Sequence, residues 1–264
     1  MKRLILFSII VLVAAIAQAH EFWMQPQKFF FSVGEKASLS LVVGENFIAG
    51  PWTLKKEKLQ TLMQYGTTSS QDLKSVVKEG EKDQLEVPLT EEGTQMIVMQ
   101  STNSFVELDG AAFNAYLKED GLDEAYDYRE RNNQLEKVGR EFYSRHCKLL
   151  LQVGTKASDV YKKVMGWPIE IVPEKNPYEV KKGEMMRFRI LAKGKPLFSA
   201  RVKVWNRKDN RTTLQNIYTD KEGWIETRVS NGGPWMVSVV TMERLSDSQA
   251  DWQSYWGSLV FGVK

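Results

Sequence analysis

The 264-residue chain carries two histidines, His20 and His146, and one cysteine, Cys147, which narrows the chemistry it can hold. His20 directly follows Ala17-Gln18-Ala19, the small-x-small pattern at which signal peptidase cuts. Cleavage there leaves His20 with a free α-amine, and that amine with imidazole Nδ1 of the same residue can chelate one cation. The amine has an ordinary pKa of about 7.7–8.0 and the imidazole one of about 6.5. Removing the amine proton at neutral pH therefore costs only about 1.4 kcal/mol or less, which a chelated transition metal easily exceeds. Imidazole suits copper, nickel and zinc, and Glu21 next door could add an oxygen ligand. The plainer alternative is that His20 is only the first residue after an ordinary cleavage site.

A site with two imidazoles needs His146. The sequence around it reads as a helix, which places His146 with Phe142, Leu149 and Leu150 on an apolar face, the usual setting of a core histidine. Cys147 beside it points elsewhere and reads as a small buried hydrophobe. The chain has no G-x-S-x-G elbow, no Gly-rich phosphate loop and no C-x-x-C pair. Acidic pairs such as Glu91-Glu92 and Asp123-Glu124 read as solvated turns and helix starts. Trp224 and Trp235 lie in strand patterns and read as core. Trp252 and Trp256 are open to either a core role or a sugar-binding platform.

Residues 1–19 read as a signal peptide: Lys2 and Arg3, then an apolar run from Leu4 to Ala17 broken only by Ser8. That run, about 14 residues, is short of the ~20 that span a bilayer. No cysteine follows it to take a lipid, and no second stretch is apolar enough to cross a membrane. Removing this segment leaves 34 basic against 33 acidic side chains, without the concentrated basic field of a nucleic-acid binder. The expected location is periplasmic.

The mature chain reads as mainly β: an N-terminal β domain over residues 20–155 with a helical insertion at about 110–147, then an immunoglobulin-like β-sandwich over residues 156–264. In the first part, Phe29 to Val43 reads as a strand, a turn at Gly34-Glu35-Lys36 and a second strand with Leu39, Leu41 and Val43 on one face. Leu85-Glu86-Val87 and Met96 to Met99 read as two more strands. Phe113, Tyr116 and Leu117 have helical spacing, Gly121 stops that helix, and a second helix reads from about Leu122 to Arg145. In the second part, Met186, Phe188 and Ile190 alternate with Arg187 and Arg189, and Ala200, Val202 and Val204 alternate with Arg201 and Lys203. Phe188, Ile190, Val202, Val204 and Ile225 are the expected inner face of the sandwich.

Seven segments together resemble the domain-of-unknown-function family 4198. They are HEFWMQP (His20 to Pro26), VGENF (Val43 to Phe47), Arg145 with Lys148 before LLLQVG, and PIEIVPEKNPY (Pro168 to Tyr178). The others are GKPLFSARV (Gly194 to Val202), TDKEGW (Thr219 to Trp224) and DWQSYWGSLVF (Asp251 to Phe261). The resemblance implies a soluble periplasmic partner of an inner-membrane nickel or cobalt uptake transporter, with His20 facing the metal and Glu21 beside it. His146 stands where relatives would carry an aromatic residue. Glu170 and Arg145 also fall inside these motifs, where a buried structural ion pair would explain them. Three functions follow as expectations: a non-enzymatic metal-binding or metal-delivery protein, a copper enzyme bracing the ion between His20 and His146, or a metal-free envelope module that binds a glycan or a protein.

Overall fold

The computed structural model describes residues 21–80 and 85–264. In chain order the first strands are β1 (Glu21–Pro26), β2 (Phe30–Phe31), β3 (Lys36–Glu45), β4 (Ile48–Pro51), β5 (Leu59–Tyr65) and β6 (Ser70–Asp72). There follow β7 (Leu85–Pro88), β8 (Gly93–Ser101) and β9 (Ser104–Leu108), helices α1 (Gly110–Glu119) and α2 (Asp123–Arg131), and β10 (Gly139–Val153). The remainder is β11 (Ile169–Pro173), β12 (Met185–Ala192), β13 (Lys195–Pro196), β14 (Arg201–Lys208) and β15 (Arg211–Tyr218). Strands β16 (Trp224–Arg228), β17 (Gly233–Arg244) and β18 (Trp252–Val263) complete it.

A ten-stranded sheet forms the middle layer, in the order β15-β14-β17-β18-β10-β8-β5-β6, with β2 and β9 also paired to β10. A four-stranded sheet of β1, β3, β4 and β7 covers one face, and another of β11, β12, β13 and β16 covers the other. Among the described residues the chain is mainly β with two α-helices, as the sequence implies. The middle sheet draws strands from both sides of residue 155, and β10 joins them by pairing in parallel with β18.

Alternation puts opposite residues of each middle strand into different cores. Cys147, Leu149, Leu151 and Val153 of β10 join Trp205, Met236 and Val260 under the β1 sheet. Leu150 joins Val237, Leu259 and Phe261 under the β11–β12 sheet. All five expected inner-face residues, Phe188, Ile190, Val202, Val204 and Ile225, are buried in that second core. Leu39 and Leu41 are buried as expected, with Val43 only partly so.

The helical reading of residues 132–147 is corrected: α2 ends at Arg131, and β10 begins at Gly139. His146 therefore sits on a strand. A strand covered on both faces loses the polar–apolar alternation that marks a half-buried one, so its run of polar and apolar residues mimics a helix. The true helices have clear causes. Asp109 caps α1 by accepting from the Ala112 N–H at 2.8 Å, and Phe113, Tyr116 and Leu117 bury one stripe. Those side chains pack on Val240 and Trp252 in a third core at the end of the middle sheet.

Candidate functional site around the first strand

β1 lies antiparallel to β3, Glu21 opposite Gly44 and Pro26 opposite Leu39. On its other edge β3 pairs with β4 in a hairpin that turns on Asn46 and Phe47, both at positive φ (55° and 56°). Gly44 is required there, because a methyl group would meet the Ile48 carbonyl and lie 2.7 Å from Ala49 Cα. Phe47 then packs edge-on against Trp23, ring centroids 5.7 Å apart. The VGENF motif is thus a device for seating β1.

The first described residue, Glu21, is buried. Its Oε1 lies 3.1 Å from Lys203 Nζ, and the same amine donates to Asp120 Oδ1 at 2.6 Å. Lys203 thereby joins β14, β1 and the C-cap of α1. An acidic residue at a helix C-terminus meets the negative end of the helix dipole, so Asp120 needs a cation close by. Arg201, on the same face of β14, donates to the carbonyls of Lys118 and Glu119 at 3.0 and 3.2 Å. Burial opposes the Lys203 charge, but Glu21 and Asp120 outweigh it and hold the amine above its ordinary range. Burial pushes the Asp120 carboxyl up to about 7 against the pull of Lys203, with Glu21 adding to the rise. Its Oδ2 is buried without a hydrogen-bond partner.

A polar row crosses the middle sheet beneath β1: Lys203 opposite Ser238, Ser238 opposite Ser258, and Ser258 opposite Cys147. Cys147 Sγ lies 3.8 Å from the Phe22 carbonyl, and burial raises its thiol to about 12, so it is inert as a nucleophile. Arg145, two residues away on the same face, lies against the Phe22, Tyr143 and Trp52 rings at 4.8, 4.9 and 5.6 Å. Further along, Glu141 Oε1 accepts from Tyr116 Oη at 3.2 Å and, very closely, from Ser254 Oγ. Burial raises the Glu141 carboxyl to about 7 despite both bonds, and its Oε2 has no partner.

His146 belongs to the other face. Its ring lies between Trp167 and Tyr255, at centroid distances of 5.6 and 6.0 Å, and neither nitrogen has a hydrogen-bond partner. Burial lowers its pKa to about 4, against the pull of Glu170, so the ring is neutral at physiological pH. On the same face Lys148 Nζ lies 2.9 Å from Glu170 Oε2, both side chains buried. Glu170 also accepts from the N–H groups of Met165 and Trp167 at 2.7 and 2.8 Å. The structural partner of Glu170 is Lys148, not Arg145.

Of the sequence-derived candidates, His20 and the signal segment lie outside the described residues. Glu21 is present, but its carboxylate is already engaged by Lys203. His146 and Glu21 are on opposite faces of the middle sheet, so the structure does not bring them together. Lys203, Asp120, Glu141 and Tyr116 were missed. Lys203 reads as an ordinary solvent-side residue in an alternating strand, and nothing in that pattern marks β1 and α1 as its cover. Among the described residues no three His, Cys, Asp or Glu side chains are grouped to hold a metal ion.

A family model described as a domain of unknown function, DUF4198, matches residues 17–243. The chain belongs to this family. The matched stretch of DUF4198 runs from the residues before β1 into β17, and so includes both ends of the Glu21–Lys203 bridge. No curated protein sequence matches the chain. Among solved structures, a mutant of Salmonella alpha-2-macroglobulin is similar at 10% identity and a TM-score of 0.23, covering 91% of this chain and 15% of that one. Three N-terminal domains of the bacteriophage RB49 highly immunogenic outer capsid protein are similar at 5% identity and a TM-score of 0.22, covering 93% and 71%. Two segments singled out in the sequence, the second of them beyond the matched stretch, have structural work here. In TDKEGW, Asp220 Oδ1 accepts from the Glu222 and Trp224 N–H groups at 3.0 and 2.8 Å. In DWQSYWGSLVF, Asp251 takes a two-pronged bond from Arg140, both distances 3.0 Å.

Proposed function

We propose that this DUF4198 protein is an exported, periplasmic metal-binding or metal-delivery accessory protein, with a nickel- or cobalt-class divalent ion as cargo for an inner-membrane uptake transporter. It is not an enzyme on this reading. The observation that supports it is the burial of Glu21 and its bond to Lys203. A chain that starts at His20 begins one residue before an anchored position, Glu21, so the ligands it would offer lie next in sequence to a held strand. Preorganised ligands bind more tightly because less freedom is lost on binding. Glu21 contributes through this anchoring, since its carboxylate already serves Lys203. The deprotonated nitrogens of His20 would hold the ion, and Asp120, whose Oδ2 lacks a partner, is the second carboxylate on the lysine that anchors Glu21.

The test is calorimetry of correctly processed protein with nickel, cobalt, copper and zinc. Tight one-to-one binding is expected, weakening as pH falls from about 8 to 6 because both nitrogens must lose protons. Acetylating the α-amine or changing His20→Ala should weaken binding at least tenfold, while His146→Ala should leave it unchanged. Equal affinity with a blocked and a free amine would overturn the reading.

A further inference from the structure

β15 ends the middle sheet, and among the described residues no strand pairs with its outer edge. The β14–β15 hairpin turns on Asp209 and Asn210, at φ 49° and 60°, with Lys208 opposite Arg211. That is the two-residue turn whose flanking pair exchanges both backbone hydrogen bonds. Arg211, Thr213, Gln215 and Ile217 therefore use their N–H and C=O groups on β14, and Thr212, Leu214, Asn216 and Tyr218 direct theirs outward.

Native edges are usually blunted by charge, proline, a bulge or a cover. Among the described residues this one has none of these over its pairing length; its one tie to the neighbouring sheet is a side-chain bond, Thr227 Oγ1 donating to Gln215 Oε1 at 3.2 Å. Its register with β14 is unbroken from Arg211 to Tyr218, and Arg211 at the turn is the one charged residue. Leu214 and Tyr218 are 43% and 49% exposed. Beside them the β3–β4 turn is tied on, with Thr212 Oγ1 and Arg207 Nη1 donating to the Asn46 carbonyl at 2.7 and 2.8 Å. That turn leads into Ile48, 68% exposed.

We propose that β15 pairs antiparallel with β15 of a second copy, so that two middle sheets become one continuous sheet. Outward-directed residues must face outward-directed residues, so the twofold axis falls on a residue and not between two. With the axis at Gln215, Leu214 opposes Asn216, Thr212 opposes Tyr218 and Thr213 opposes Ile217. Every opposing pair is uncharged, and Arg211 lies beyond the paired stretch. A second copy is favoured over a foreign segment on charge: the strand has no charge pattern with which to select one. The near balance of 36 basic and 33 acidic residues in the full chain also leaves little net repulsion between copies.

Sedimentation velocity of the processed full chain should show the mass doubling as concentration rises through the micromolar range. Gln215→Cys places a thiol on the axis, in a pair whose Cα atoms are about 4.5 Å apart, within reach of a disulfide. Mild oxidation should convert most of it to a linked dimer. Thr213→Cys, about 14 Å from its own copy by the strand rise, should not link. Cys147 is buried and takes no part. Asn216→Pro removes an outward N–H that β14 does not use, so it should give a monomer with an unchanged thermal midpoint. A monomer at every concentration, or Gln215→Cys linking no better than Thr213→Cys, would overturn the proposal. So would a dimer that survives Asn216→Pro.

Discussion

The Lys148–Glu170 pair offers the sharpest test of the packing argument. Its side chains are 2% and 0% exposed, with nitrogen and oxygen 2.9 Å apart. Lys148 also donates to the Lys163 carbonyl at 3.0 Å, and Glu170 takes the Met165 and Trp167 N–H groups. The two residues thus hold the segment that leads from the middle sheet into β11. Removing one partner of such a pair leaves a charge stranded in the core and costs about 3–5 kcal/mol. Glu170→Gln should fall at the upper end, because it strands Lys148 and also forfeits one of two backbone acceptors. Lys148→Met should cost less, since Glu170 keeps both backbone donors. At roughly 2–4 °C per kcal/mol for a chain of this size, the thermal midpoint of Glu170→Gln should drop by about 6–20 °C. The assay is urea unfolding of both single variants and the double variant Lys148→Met/Glu170→Gln, followed by intrinsic tryptophan fluorescence. The double variant should be less destabilised than the summed singles by about 2 kcal/mol or more, since it removes both charges. Strictly additive costs below about 1 kcal/mol each would show that the pair is not a coupled unit.

Glu141 should make the fold less stable as pH rises. Its folded value of about 7 lies above the unfolded one, so the native state holds the extra proton between about 4.5 and 7, and ionisation there costs on the order of 3 kcal/mol. Glu141→Gln should flatten that slope in thermal scans from pH 5 to 8; an unchanged slope would refute it. His146 acts in the opposite sense, because burial depresses its value to about 4 and stability is lost as pH falls from about 6.5 toward 4. His146→Phe should move the acid-unfolding midpoint to lower pH, checked by circular dichroism, and a midpoint that stays put would argue against a neutral buried imidazole. Gly44→Ala should cost about 1–3 kcal/mol by pushing apart the β3–β4 hairpin, with chemical denaturation as the readout.

Strands β12 and β16 are legible in the sequence because their sheet keeps one face toward solvent. Arg187 and Arg189 alternate with Met186, Phe188 and Ile190, and burial follows that alternation. Trp224 shows the limit of the signal. It occupies a strand position and reads as core, yet it is half-exposed, with the Arg187 and Arg189 guanidiniums 4.5 and 5.5 Å from its ring. β10 is illegible for the reverse reason, since both its faces are covered and Glu141, His146 and Lys148 are polar residues enclosed within the protein. Glu91 and Glu92 read as a solvated turn, but Glu91 accepts from the Thr68 N–H at 3.0 Å and Glu92 from that of Thr155 at 3.0 Å, tying two loops together. At the candidate site His20 and Glu21 stand out by position. Lys203 and Asp120 do not, because their meeting depends on a helix and two strands far apart in the chain.

The parallel seam between β10 and β18 also sets the order of events in the life of the chain. The bond from Arg140 to Asp251 closes a separation of 111 residues, and among the described residues β18 follows every other strand. A polypeptide emerging from its amino end presents β10 long before the strand that must lie beside it exists. Such distant pairing folds slowly and leaves a half-made sheet exposed in the meantime. Losing β18 would open the middle of the large sheet rather than fray its edge.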